Sequence, residues 1–101
     1  MNKSSQEKTE MGIVTAWLRR VSHRRLPRLK RIKRAVDGGA RLNNYQITFL
    51  GKVFKDMHDA LPYFDTHPEM QEMATLMISL YYDITEQAMK NEEALLNRKT
   101  P

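Results

Sequence analysis

At 101 residues, with 41 % hydrophobic and 29 % charged side chains, the chain suits one domain with a modest core and is too apolar to be disordered throughout. The absence of cysteine excludes a disulfide, a thiol nucleophile and a thiolate zinc site, and no apolar run approaches the ~20 residues that span a bilayer. The net charge of +5 is uneven: no carboxylate lies between Glu10 and Asp37, and nine of the sixteen residues from Arg19 to Arg34 are Lys or Arg, leaving eight basic residues against twelve acidic ones elsewhere. A block of one sign repels itself and points to an anionic partner.

Residues 1–9 are polar and read as a disordered tail, without the apolar core of a secretory signal, so a cytoplasmic location is expected. Beyond them apolar residues recur at helical spacing and no run of β-branched residues is long enough for a strand, which predicts an all-α fold. A first helix is expected over residues 10–24, capped by Thr9, with the stripe Met11, Val14, Trp17, Leu18 and Val21. Pro27 cannot sit deep inside a helix, because it lacks an N–H and its ring collides with the preceding turn. It is instead expected in the first turn of a second helix, over residues 27–36. That helix would bury Leu26, Leu29, Ile32 and Val36, holding Lys30, Arg31 and Arg34 on the opposite face with Arg28 and Lys33 beside them. Asp37-Gly38-Gly39 ends it.

Asn43 and Gln46 form a capping box for a third helix over residues 44–61, with the stripe Phe49, Leu50, Val53, Phe54, Met57 and Leu61. Gly51 within it costs about 1 kcal/mol relative to alanine, which signals a tight helix contact or a tolerated defect. Pro62 breaks this helix, and Thr66 with Glu69 reads as a second capping box, with Pro68 in the first turn. The last helix, over residues 67–94, should be the longest, and its seam of Met70, Met73, Met77, Leu80 and Ile84 alternates steps of three and four. Residues 96–101 read as a frayed tail.

The expected architecture is therefore a single helical domain over residues 10–95, a small three- to four-helix bundle with a long C-terminal helix. Its basic N-terminal helix either docks or extends as an arm. The same seam would also allow a homodimer.

No catalytic, cofactor-binding or metal-ligating set emerges, so an enzyme is not expected. His23, His58 and His67 fall in three separate segments with no Glu-x-x-His, Gly38-Gly39 lacks the Lys-Ser or Lys-Thr of a phosphate loop, and no serine sits in an activating context. Pairs such as Asp56 with Asp59 are read as solvated outer faces. The methionine stripe is read as core, and as a groove for a partner helix should the first helix detach.

What remains is a non-enzymatic binding or adaptor protein whose basic surface engages an anionic partner. The candidate contacts are Arg19, Arg20, Arg24, Arg25, Arg28, Lys30, Arg31, Lys33 and Arg34, with Trp17 and Tyr82 as further partner contacts. Seven of these nine cations are arginine, whose planar fork grips phosphate with two donors, so nucleic acid without base readout is the first expectation. An acidic protein is the second. An anionic membrane surface is the third, with Trp17 on the apolar face of the N-terminal helix.

Overall fold

Val14, Trp17 and Val21 follow one another at steps of three and four, and Leu26, Leu29, Ile32 and Val36 do the same, but the step from Val21 to Leu26 is five. In a regular α-helix five residues turn the chain by about 500°, which would set Leu26 roughly 140° away from Val21. The structure, a computed structural model that describes residues 3–99, resolves this with a π turn. Helix α1 (Lys3–Arg20) passes into a π turn over Val21–Arg25 and on into α2 (Leu26–Asp37), and both stripes reach the same core.

The expected break before Pro27 is therefore absent. Arg20, Arg25 and Leu26 all keep right-handed helical dihedrals, and the Leu26 N–H donates to the Val21 carbonyl five residues back. Proline is excluded from helix interiors by its missing N–H and its collision with the carbonyl four residues earlier. A wider turn immediately upstream relieves the collision, so α1, the π turn and α2 form one rod of about 50 Å at 1.5 Å per residue.

The helix begins at Lys3, so Thr9 lies inside it rather than capping it. The tail expected over residues 1–9 falls partly outside the described residues, as does the one over 96–101, where helix extends to Lys99.

At the end of α2, Gly39 takes φ +99°, a conformation that favours glycine, and the turn is closed by bonds from the Gly38, Gly39 and Ala40 N–H groups to the last helical carbonyls. Asn91 Nδ2 donates to the carbonyls of Val36 and Ala40, 2.9 Å in each case, so the last long helix pins this corner. Helix α3 (Asn44–Ala60) carries both halves of the Asn43–Gln46 capping box. A 3₁₀ turn, Leu61–Tyr63, leads to α4 (Pro68–Lys99). Here the expected Thr66 cap is replaced. The chain stays turned after Tyr63, and the Thr66 hydroxyl donates back to the Tyr63 carbonyl instead of accepting from Glu69.

The rod and α4 run parallel. Glu10 approaches His67 at one end and Val36 meets Asn91 at the other, while α3 runs antiparallel to both. Among the described residues the arrangement is all-α, with three helical bodies rather than four. The first helix packs on the other two through Val14, Trp17 and Val21, which are buried. Val21, Leu29, Val36, Val53, Met70, Met77 and Ile84 are fully buried at the centre, so Met70 and Met77 fill the core.

Because α3 covers only part of the two longer helices, the molecule extends 69 Å with a radius of gyration of 17.3 Å, against ~13 Å for a compact chain of this length. Two members of the expected α3 stripe, Phe54 and Leu61, are exposed, since three helices leave the outer flank of α3 uncovered. No helix among the described residues is long and apolar enough to cross a membrane.

Candidate functional site

The basic block contains no acid of its own, and the carboxylate that answers it comes from α3. Asp56 lies three residues after Val53 and four before Ala60, in phase with the buried face, and it is only 5 % accessible. Arg25 Nε donates to its Oδ2 at 2.6 Å, and an Arg20 guanidinium nitrogen lies 3.3 Å from Oδ1. The Asp56 backbone carbonyl accepts a bond from Trp17 Nε1 at 2.9 Å. A carboxylate taken out of water costs several kcal/mol unless it is paired and hydrogen-bonded, and here two guanidinium groups supply both. The reading of Asp56 as a solvated outer residue is thus corrected. Its phase with Phe49, Val53 and Ala60 is the signal in the sequence that identifies it.

This junction removes several predicted contacts from the free surface. Trp17 is buried against α3 and is not an exposed partner contact. Arg25 is 19 % accessible and committed to Asp56, and Arg20 is half-exposed beside the same carboxylate. The Arg28 guanidinium stacks 4.3 Å from the centre of the Phe49 ring, a cation–π contact that holds it against α3. Lys33 Nζ donates to Asp37 at 2.7 Å, and that bond raises its pKa above the ordinary lysine value, with smaller help from the charges of Asp37 and Asp83. Tyr82 is exposed, on α4, far from the rod's outer face.

Arg19, Arg24, Lys30, Arg31 and Arg34 remain exposed, with no ion pair to any other described residue. They stand along one continuous helix over about 22 Å.

A groove between the rod and α4 sets Arg19 and His23 in one lining with Glu69 and Glu72, and two further open grooves adjoin this ridge. One is lined by Ala16, Arg19, Arg20, His23 and Arg24 at the π turn, four of the five side chains being nitrogen bases. The other lies between α2 and the start of α3, lined by Arg28, Arg31, Asn43, Tyr45 and Gln46. Tyr45, 82 % accessible, stands beside Arg28 and Arg31 there. Sequence reasoning passes over Tyr45, because its neighbourhood depends on the antiparallel return of α3 and not on local spacing.

Among the described residues no group of three or more His, Asp or Glu is arranged to hold a metal ion. Comparison with known protein families, with curated proteins and with solved structures finds no match.

Proposed function

We propose that the outer face of the rod binds nucleic acid through its phosphates, without reading base sequence. The observation that carries this is the division of the basic block. Arg20, Arg25, Arg28 and Lys33 are occupied within the chain, whereas Arg19, Arg24, Lys30, Arg31 and Arg34 face solvent together on a rigid support. A helix that only needs solvation mixes signs and gains i, i+4 pairs, and this ridge has none of its own. Its residues are mostly arginine, which matches phosphate with paired donors.

Tyr45 adds a flat aromatic surface beside Arg28 and Arg31, the combination on which unpaired bases stack while cations hold the backbone. Single strands are accordingly favoured over duplex. On this reading the protein is a non-enzymatic nucleic-acid-binding adaptor of the cytoplasm. The membrane reading has less support, since the Trp17 indole that would enter the interface is buried and hydrogen-bonded to α3.

A salt titration with single-stranded oligonucleotides tests the proposal. Engagement of about five phosphates gives a slope of log K against log salt of roughly −3.5 for single strands. Affinity indifferent to salt overturns the proposal, and a partner retained in pull-downs after nuclease treatment but lost on charge reversal of the ridge would instead identify an acidic protein as the ligand. Binding confined to anionic vesicles would identify a membrane surface.

A further inference from the structure

The flank of the molecule turned away from the rod is apolar. Asp56 of α3 faces the rod, and Phe54, two residues earlier, lies about 160° from it around the helix. Asn91 of α4 reaches α2, and Tyr82, nine residues earlier, lies about 180° from it. The antiparallel pair α3/α4 brings these outer sides together, with Phe54 packed 6.3 Å from the Tyr81 ring and Tyr81 in turn 6.3 Å from Tyr82. Ile47, Phe54, Ile78, Tyr82 and Met89 on this flank each leave between 42 and 64 % of their surface exposed. For side chains of their size that is on the order of 500 Å² of accessible surface, toward the upper end of the largest apolar patch a monomer usually exposes, a size that is often functional.

A second observation points the same way. Gly51 sits on the same flank, between Ile47 and Phe54, and a Cβ built there meets nothing within 4 Å. Among the described residues no contact requires a glycine in the middle of this helix, and its backbone conformation is ordinary. Glycine at a helix surface allows a second helix to approach closely, so a demand unmet within one chain can be met between two.

Charge selects the occupant. The ionic residues bordering the flank carry both signs: Lys55 pairs with Asp59, Glu86 with Lys90 and Arg41 with Glu92, while Glu93 and His58 stand exposed at its edge. The Thr85 hydroxyl, also on this side, donates to the carbonyls of Tyr81 and Tyr82. The flank therefore presents little net charge of either sign to a charged partner. It suits a surface equally neutral, and its own copy is one, since an isologous interface sets each patch against itself. Pairing there also keeps the two basic rods on opposite outer sides, where their mutual repulsion is least.

We infer that the chain forms a two-fold dimer through the α3/α4 flank, with Gly51 at the helix crossing and Phe54, Tyr82 and Met89 packed around it. The four helices α3, α4 and their copies form the centre of the assembly. This inference stands independently of what the rod binds.

Sedimentation velocity and light scattering between about 1 and 200 μM test it, together with the variants Gly51→Glu and Tyr82→Glu. The wild-type protein is expected to move with concentration from the 11.9 kDa chain mass to twice that value. Glutamate is a better helix former than glycine and meets no neighbour at position 51, so Gly51→Glu retains full helicity by circular dichroism while its dimer weakens at least tenfold. Tyr82→Glu gives the same loss from the other helix. A wild-type protein that stays monomeric over the whole range overturns the inference, and so does a dimer that persists unweakened in either variant. Both variants keep every basic residue of the rod, so nucleic-acid binding at monomeric concentrations succeeds or fails separately.

Discussion

Arg25 and Arg31 stand six residues apart in the same acid-free stretch, and α3 divides them. Arg25 turns toward α3, loses most of its contact with water and places Nε 2.6 Å from Asp56. Arg31 turns outward beside Lys30 and Arg34 and pairs with no described residue. The difference teaches that a charge block is not a single functional unit. Where a helix crosses it, the covered cations become structural, because a desolvated ion must be matched within the fold. The uncovered cations keep their hydration and remain available to a partner. In this chain the division follows helical phase, not distance along the sequence.

The sharpest way to break the inner region is Asp56→Ala, which leaves Arg25 largely buried without a counter-charge. Removing one member of a buried pair costs roughly 3–5 kcal/mol, and because Arg20 can turn to solvent we expect a loss of about 3 kcal/mol in urea denaturation. Adding Arg25→Met to that variant should recover at least about 1 kcal/mol, since an apolar side chain of similar size leaves no stranded ion. If the double variant is no more stable than Asp56→Ala alone, the ion pair is not what makes Asp56 costly to remove. Nucleic-acid binding by the folded fraction of Asp56→Ala should persist, because the ridge is untouched.

The outer region predicts the reverse. Reversing Arg24, Arg31 and Arg34 to glutamate should change stability by no more than about 0.5 kcal/mol per site, within the usual range for exposed positions. Affinity for single strands should fall by more than tenfold, and every phosphate no longer engaged should flatten the salt slope by about 0.7. Large destabilisation with binding intact would show that the two regions had been assigned the wrong way round.

Much of the fold was legible because its signals are local. The Asn43–Gln46 cap, the glycine stop after Asp37 and the Met70, Met77, Ile84 seam each depend on residues a few positions apart. The rod was not legible, since Pro27 taken in isolation is a helix breaker. The five-residue step from Val21 to Leu26 is present in the sequence, but only the common core facing both stripes shows that the extra residue is absorbed. Asp56 misleads for a similar reason: its charge suggests solvent, while its phase with Val53 and Ala60 puts it inside.

Pro27→Ala tests this account. The five-residue step persists without the proline, so circular dichroism should show unchanged helicity. The unfolded chain gains freedom worth about 0.4–1 kcal/mol, and the N–H and helix propensity that alanine restores oppose it, so stability should change little. A marked gain in stability would mean that the proline, not the spacing, imposes the π turn.

Lys33 lies between the two regions and should give the smallest effect. Its ammonium is about one-third accessible, bonded to Asp37 one turn on and near Asp83 across the groove between α2 and α4. The Asp37 bond raises the folded-state pKa above 10.5, the ordinary lysine value that the unfolded chain retains. Its contribution to stability is therefore complete below that value and disappears as pH rises through the higher folded-state pKa. Exposed pairs of this kind are weak and screened by salt, so Lys33→Met should lower the melting temperature only slightly at neutral pH and low ionic strength. The gap between variant and wild type should close on the alkaline side of 10.5. A gap that is large at neutral pH, or insensitive to both salt and alkali, would place Lys33 with Arg25 as a structural cation instead of at the margin of the ridge.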